Sequence, residues 1–460
     1  MFFCRYFQNA LFRFFAFDNF LDAELNFKEL VKKVCVDNAM LIFLDGNTNV
    51  RGNPNENFAR EMFELYTIGR GLEGFIAPTT EPGDYVLFTE QDVQAAARVL
   101  TGIKRDNTFS NIDEDTMLPR GVVNVGQHET DPTEKQFSAR FDNAVIDQDP
   151  LLVSQVNGQS TEESILDEVS QLIEMIYNNR EAAKNICRKI YRYFVYYLID
   201  DTVDNDIIET MADTFISGGF KIQPVLEELF QSREFYEAAA GNQDDKFGGI
   251  IKSPLDLLTG TLNFFKVNLP DYATETELFY TTMGRLLQLM DRQGLNFYDP
   301  FEVAGYSAYH QFPIYNRNWI STNYLTRRYE FIQDVITTDV DMMEGMIGID
   351  VFEYTKANIP DNIAQDAQAL VIEFCKYLLP YAENLTFDET AETDANPDND
   401  PSITVARLNY FLQVFLGDID PDPLIAWQVR WTRGVDDETV QNQLENLMNA
   451  MLQSPEYQLF

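Results

Sequence analysis

The chain has two histidines, and each lies in a polar segment between predicted helices. His128, Glu129 and Asp131 place an imidazole and two carboxylates within four residues, and Lys135 follows closely. Such a group can hold a divalent ion or transfer protons, so we take these four residues as candidate catalytic residues. The alternative is that His128 only forms hydrogen bonds within a local turn.

The second histidine, His310, lies in an aromatic stretch that runs from Tyr306 to Pro313. Aromatic side chains with a polar edge can line a binding pocket, or they can pack a loop against the core. Trp319 belongs to the same polar interruption, residues 296–321. Loops of this kind often carry function on a helical scaffold, which makes this segment a candidate binding region.

The segment from Asp45 to Glu61 contains the signals of a helix start. Asn53 is a good N-cap, Pro54 suits the first helical position, and Glu56 stands where a capping-box carboxylate reaches back. This pattern predicts a helix that begins at Asn53.

The same segment also has the oxygen spacing of a calcium-binding loop. Counted from Asp45, the residues Asn47, Asn49 and Glu56 occupy positions that supply ligands in an EF-hand. Val50 stands where that loop needs a glycine. Asp45, Asn47, Asn49 and Glu56 are therefore candidate ligands for calcium or another divalent cation, and no other cofactor is predicted.

The charge balance limits the partners of the chain. Its 74 acidic residues against 34 basic ones give a net charge of −40. Phosphate backbones and anionic lipid headgroups are bound by basic surfaces, so neither nucleic acid nor an anionic membrane is an expected partner. The sequence also lacks a GxSxG elbow, an HExxH motif, a P-loop and a dinucleotide fingerprint, which argues against nucleotide-dependent chemistry.

Apolar residues recur with the helical period through most of the chain and predict a mostly α protein. In one example, Thr89 is the expected N-cap, Asp92 the capping-box partner and Gly102 the stop. The predicted helices cover residues 19–45, 90–101, 162–178, 180–199, 205–217, 224–239, 253–267, 279–293, 322–338, 361–382, 403–416 and 436–453.

With 460 residues, the chain exceeds the ~250–300 at which one hydrophobic core stops growing. We expect an orthogonal array of helices with two long irregular insertions, residues 104–157 and 296–321, the first carrying short β pieces. The predicted organisation is a helical core over 1–385, an acidic flexible loop over 386–402, and C-terminal helices over 403–460 that pack back on the core.

The four cysteines lie far apart and include no CxxC pair, so we expect small buried hydrophobic side chains; disulfides stay open. They are Cys4, Cys35, Cys187 and Cys375. No run approaches the ~18 apolar residues of a membrane helix. The first residues do not resemble a signal peptide.

Several segments together resemble the bacterial family known as domain of unknown function 1800. The most specific are Asn53 to Gly69, similar to the family's Pro-Asn-Glu-Asn-aromatic-Ala-Arg-Glu helix, and Phe88 to Gly102, which follows it in order. His128-Glu129 stands where the family usually has His-Asp, and Tyr306 where it usually has Trp. The resemblance covers nearly the whole chain, although the family's first helices are expected to be missing.

The resemblance implies a setting rather than a mechanism. Members resemble exported or envelope-associated proteins, which implies an extracytoplasmic location, and a sulfatase-like protein is the partner that it suggests. The candidate ligand-binding residues on the matching segments are Asn55, Glu56, Arg60, Glu61, Tyr306, His310 and Trp319.

Three functions are compatible with these features. The first is binding of a partner protein or a polymeric substrate through the loops around His128 and His310. The second is metal-assisted hydrolysis, in which His128, Glu129 and Asp131, with Glu56 and His310, hold a divalent ion. The third is a purely structural role in the cell envelope.

Overall fold

The computed structural model describes residues 2–79, 81, 83–236, 249–336, 347–380, 385–388, 403–418 and 420–460. Most of the predicted acidic loop, residues 389–402, lies outside the described residues. The chain divides into two units, the first formed by Met1–Asn242 with Glu302–Gly305 and the second by Gln243–Phe301 with Tyr306–Phe460.

The first unit is built from short helices. They are α1 (Phe2–Arg13), α2 (Phe27–Cys35), α3 (Asn38–Phe43), α4 (Asn57–Glu61), α5 (Glu90–Val99), α6 (Glu162–Tyr177), α7 (Arg180–Phe194), α8 (Asp201–Val203), α9 (Glu209–Ser217), α10 (Ile222–Gln231) and α11 (Arg233–Tyr236). Three π-helical turns, Phe14–Asp18, Met62–Tyr66 and Asp204–Ile208, extend or precede these helices.

Helix α5 lies at the centre of this unit, against α4 and α6. The N–H of Thr89 donates to Asp92 at 2.7 Å, which is the capping interaction that the sequence predicts. The predicted apolar stripe is buried, as Val93, Ala96, Ala97 and Leu100. The helix ends at Val99, and Gly102 follows in the turn with a φ of +83°, where a Cβ atom would lie 2.8 Å from the carbonyl oxygen of Asn124.

The predicted irregular insertion, residues 104–157, contains short strands. Strand β1 (Ile103–Lys104) pairs antiparallel with β2 (Val122–Val123). Isolated bridges join Ile112 to Pro119 and Gln136 to Val145. Three 3₁₀ turns follow β2, at Val125–Gln127, Pro132–Lys135 and Ala139–Phe141.

The second unit is also helical. Its helices are α12 (Pro254–Phe264), α13 (Thr276–Arg292), α14 (Ser307–His310), α15 (Thr322–Val335), α16 (Val351–Asn358), α17 (Asp361–Ala364), α18 (Ala367–Leu378), α19 (Val405–Leu416), α20 (Pro423–Arg433) and α21 (Asp437–Leu452), with 3₁₀ turns at Tyr315–Ile320 and Glu456–Gln458. Since β1 and β2 are the strands of the described chain, the mostly α fold class is confirmed.

Helix α21 packs against α15, α16, α18, α19 and α20, and it forms the centre of the second unit. Trp427 of α20 is fully buried, and its Nε1 donates to the carbonyl oxygen of Ala364 at 2.9 Å. Arg328, also fully buried, ties α15 to the C-terminal segment by donating to the Oε1 of Gln458 at 2.7 Å.

Two predicted helices are wrong in extent because polar side chains start new helices within them. In residues 19–45, Asn26 accepts from the N–H of Glu29, and Asp37 accepts from the N–H of Ala39, so α2 and α3 form separately. In residues 361–382, Asp366 caps α18 and separates it from α17. Helices α8, α14, α16 and α20 lie outside the predicted helices.

None of the described helices is long and apolar enough to cross a membrane. The four cysteines are buried and unbridged, as expected of small hydrophobic side chains. Burial raises the pKa of the Cys35, Cys187 and Cys375 thiols to about 12. They are therefore thiols at neutral pH, which disfavours a nucleophilic role.

The first prediction concerns Asp92, which is fully buried and accepts from Thr89 and from both the N–H and the hydroxyl of Ser138 at 2.7 and 2.8 Å. Asp92→Ala removes a buried acceptor and leaves its half-buried donors Thr89 and Ser138 unpaired, so we expect a loss of roughly 2–4 kcal/mol in the free energy of unfolding. Asp366→Ala, which removes an exposed cap, should cost ~1 kcal/mol. Urea denaturation measures both, and equal losses would contradict this role of Asp92.

Candidate functional site

His128 lies in a buried cluster with Glu168 of α6 and Lys135. The Nε2 atom of His128 is 3.1 Å from the Oε2 of Glu168, and the ammonium of Lys135 donates to the same oxygen at 2.7 Å. The side chains of all three residues are 0% exposed. The cluster joins the irregular segment to the centre of the first unit.

The hydrogen bonds of His128 define where its protons lie. Its Nδ1 is 2.9 Å from the carbonyl oxygen of Thr101, which can only accept, so Nδ1 carries a proton. The contact between Nε2 and the Glu168 carboxylate then needs a second proton between the two atoms. The same oxygen of Glu168 accepts from Lys135, so both basic side chains converge on one carboxylate oxygen.

Glu129 and Asp131 do not take part in this cluster. Glu129 accepts from the N–H groups of Thr130 and Asp131 at 2.9 and 3.0 Å. Asp131 is exposed and caps the turn at Pro132–Lys135, where hydrogen bonds from Thr133 lower its pKa. The four candidate catalytic residues are therefore divided between a buried cluster and an exposed turn.

The sequence contains one signal that Glu168 is buried and paired. Ile165, Val169 and Leu172 predict the buried face of α6, and Glu168 falls among them at helical spacing. A carboxylate on an apolar face requires a cationic partner, because a buried unpaired charge is costly. Nothing in the sequence indicates that the partner is Lys135.

The family-like helix begins later than predicted. The N–H of Asn55 donates to Asn49 at 2.9 Å, and Asn55 accepts from the N–H of Asn57, so α4 starts at Asn57 rather than at Asn53. Glu56 does not reach back as a capping-box residue, because its carboxylate accepts from Arg60 at 3.2 Å.

Arg60 joins Glu56 to a second carboxylate, Glu90 of α5, to which it donates at 2.8 Å. The Arg60 guanidinium holds the pKa of Glu90 below its ordinary value. Burial and the neighbouring Glu90 raise the pKa of Glu56. Burial, followed by the nearby Glu64, also raises the pKa of Glu61. The side chains of Glu56, Arg60 and Glu90 are about one third exposed at 35%, 28% and 32%, so the network borders solvent.

The calcium-like segment uses its side chains for structure. Asn47 donates to the carbonyl oxygen of Leu41, and Asn49 is buried and donates to that of Ala97. Asp45 is exposed, and Glu56 is held by Arg60. Among the residues that the structure describes, no three His, Cys, Asp or Glu side chains are grouped so as to hold a metal ion. The divalent-cation site therefore stays a prediction.

We call residues 296–321 the aromatic segment. It packs around Trp319, which is buried. Tyr306 and Tyr309 contact its ring at centroid distances of 6.2 and 5.8 Å. The hydroxyl of Tyr306 donates to the carbonyl oxygen of Asn296. His310 is half-buried at the end of α14. His310 and His128 belong to different units.

A polar cleft of about 490 Å³ lies in the second unit, between α15, α19 and α21, and sequence reasoning missed it. We call it the polar cleft. Its lining includes Tyr329, Arg407, Tyr410, Asn446, Asn449 and Gln453. These residues are spread over more than a hundred positions, and no motif signals that they meet.

Hydrogen bonds fix Arg407 and the amide of Gln453 within the polar cleft. Arg407 donates to both carboxylate oxygens of Glu456 at 2.9 and 3.0 Å, which neutralises its charge. Gln453 donates to Asn449 at 3.0 Å and accepts from Gln333 at 3.1 Å. The result is a concave surface of tyrosine rings and amides with little net charge.

The chain belongs to the family described as protein of unknown function (DUF1800), whose model matches residues 2–459. The resemblance carried by the Asn53 to Gly69 and Phe88 to Gly102 segments is thereby confirmed. No curated protein and no solved structure was found to match the chain.

The second prediction tests the buried cluster. Glu168→Ala leaves the ammonium of Lys135 buried without a counterion, so we expect a loss of roughly 3–5 kcal/mol in the free energy of unfolding. Faster amide hydrogen exchange over residues 128–137 should accompany the loss.

Glu174→Ala is the matched control, because Glu174 lies on the same helix and pairs with Lys28 and Lys32 at the surface. It should cost about 0–1 kcal/mol. If both variants lose the same stability in urea denaturation, Glu168 does not hold the irregular segment.

The third prediction concerns the pH dependence of the Arg60 network. Arg60→Ala should cost about 1 kcal/mol at neutral pH, since the network is part-exposed. A lowered carboxylate pKa contributes stability above the unfolded pKa of Glu90, and this is lost as pH falls through the folded pKa. The difference between wild type and variant should therefore shrink from pH 7 towards pH 3.

Arg60→Lys retains the charge and should show a smaller loss with the same pH trend. Denaturation curves at several pH values provide the measurement. A difference that is independent of pH would rule out a role for the carboxylates.

Proposed function

We propose that the protein is an extracytoplasmic binding protein that holds a hydroxyl-rich polymeric ligand, of the polysaccharide class, in the polar cleft. The observation that carries this proposal is the composition of the cleft, in which two tyrosine rings, Tyr329 and Tyr410, lie with side-chain amides. Its volume of about 490 Å³ is within the range of ligand sites.

Each part of the cleft suits a chain of hydroxyl groups. Tyrosine rings offer flat apolar faces with a polar edge, and amides both donate and accept hydrogen bonds. Asn446 and Pro455 are exposed at the margin of the cleft, so a polymer can extend beyond it. These features support a chain segment as the ligand rather than an enclosed small molecule.

Charge favours a neutral polymer over an anionic one. The chain carries a net charge of −40, and Arg407 is already paired with Glu456. The acidic composition and the family resemblance support the extracytoplasmic location, and neither depends on the cleft.

A second candidate function is docking of a partner protein on the aromatic segment. Phe301 is 74% exposed, and Tyr309, Phe312 and Ile314 are each more than 40% exposed. Large exposed apolar side chains of this kind are typical of interaction surfaces. A sulfatase-like partner is the class that the resemblance suggests. Metal-assisted hydrolysis and a purely structural role stay predictions.

The fourth prediction tests the polar cleft by affinity electrophoresis, with neutral polysaccharides (dextran, galactomannan, hydroxyethyl cellulose) and anionic alginate embedded in native gels. Wild type should be retarded by a neutral polymer and not by alginate. Tyr410→Ala should weaken binding about tenfold, the equivalent of ~1.4 kcal/mol for a lost aromatic contact.

Tyr377→Ala is the control, since Tyr377 is 68% exposed on α18 and does not line the cleft. Retardation that Tyr410→Ala and Tyr377→Ala reduce equally would overturn the assignment. Retardation lost in Phe301→Ser but kept in Tyr410→Ala would move the function to the aromatic segment.

A further inference from the structure

A second concave surface, of about 590 Å³, lies in the first unit between α1, the π-turn Phe14–Asp18, the start of α2 and the start of α10. We call it the apolar groove. Its lining is aromatic and aliphatic and includes Phe12, Phe15, Phe17, Phe20, Leu30 and Leu226. Its volume matches that of small-molecule sites, which are commonly ~300–1,000 Å³ and mostly apolar.

The side chains of the apolar groove are exposed to an unusual degree for their type. Phe17 is 72% exposed, Phe12 42% and Phe20 40%. Three phenylalanines on one short stretch form a contiguous apolar surface, and surfaces of this kind mark binding sites more often than isolated exposed residues do.

One lysine lies among these apolar residues. The ammonium of Lys221 donates to the carbonyl oxygens of Asp22 and Leu25 at 2.7 and 2.8 Å. Within the described chain it has no carboxylate within 4.0 Å, although burial lowers its pKa and Asp22 opposes that shift from further away. Carbonyl groups orient the ammonium without neutralising it, and its third proton remains available.

The other polar residues of the lining already have partners. Asn26 accepts from the N–H of Glu29 as the cap of α2, and Gln223 donates to Glu227 one turn along α10. A ligand would therefore meet apolar walls and one ammonium. That combination is complementary to a hydrocarbon chain with one anionic end.

We propose that the apolar groove binds a single fatty acyl chain whose carboxylate pairs with Lys221. Burial of the chain drives binding, because each methylene group removed from water contributes favourably. The ammonium decides which polar end is accepted. The proposal is independent of the polar cleft, which belongs to the other unit.

The net charge of −40 shapes how such a ligand arrives. At long range the protein repels a carboxylate, whereas at ~0.15 M salt charges further apart than about 8 Å are largely screened. The contact between the ligand carboxylate and the Lys221 ammonium is shorter than this screening distance, so it persists at this salt concentration. Salt should therefore speed the association of fatty acids, and an anionic bilayer surface is a poor alternative occupant.

The fifth prediction uses displacement of fluorescent cis-parinaric acid at 0.15 M salt. Three competitors share one chain length: dodecanoate, dodecanol and dodecyltrimethylammonium. We expect dodecanoate to compete best, dodecanol about tenfold less well and the cationic analogue least. Lys221→Met should abolish the preference for dodecanoate over dodecanol while dodecanol still binds.

Lys104→Met is the matched control, since Lys104 also donates to a carbonyl oxygen, that of Asn47, but does not line the groove. It should bind all three competitors as wild type does. Leu226→Trp fills the groove and should abolish binding of every competitor. Phe17→Asp alters an exposed position, so its fold should persist, and it should weaken dodecanoate more than dodecanol.

The proposal is overturned if wild type does not bind cis-parinaric acid, or if dodecanol competes as well as dodecanoate. It is also overturned if Phe17→Asp and Leu226→Trp both fold and bind as wild type does. Thermal unfolding of each variant establishes that it is folded.

Discussion

The buried carboxylate of Glu168 is the interaction on which the first unit most depends. It holds His128 and Lys135, two residues of the irregular segment whose side chains are fully withdrawn from water. The strands of this segment are only two residues long, and turns and isolated bridges supply most of its other backbone hydrogen bonds. The ion pair with α6 fixes the part of the segment around Lys135, and a buried ion pair tolerates little displacement because either charge alone is costly.

The structure separates the residues that the sequence groups as a candidate catalytic site. An imidazole near carboxylates is the usual start of an acid/base or metal site, but here His128 faces Glu168 rather than Glu129 or Asp131. The Arg60 network is different, because Glu56 and Glu90 remain in contact with water while their pKa values are displaced in opposite directions. Both clusters stabilise contacts between segments that are distant in the sequence.

The polar cleft and the apolar groove differ in the polarity of their lining and in the charge that they offer a ligand. The polar cleft is formed by tyrosines and amides around a neutralised arginine, whereas the apolar groove is formed by phenylalanines around a lysine that donates to carbonyl oxygens and has no carboxylate partner among the described residues. In a chain of such negative charge, a lysine whose described hydrogen-bond partners are carbonyl oxygens is a local exception. Both candidate binding surfaces of this family member are therefore formed by several helices together, rather than by one sequence motif.

The sequence by itself determined the helical class, the burial of the cysteines, the caps at Thr89 and the family, because each depends on residues within a few turns of one another. It misplaced the start of α4, since the partner of Asn55 is Asn49, across a loop. Only the tertiary structure decided that Glu168 pairs with Lys135. It also decided that Tyr329 and Tyr410 line one cleft, and that Lys221 and Phe17 line one groove. The residues in these pairs are separated by between 33 and more than 200 positions in the sequence. Hydrophobic periodicity predicts that a residue is buried, but not which distant residue it contacts.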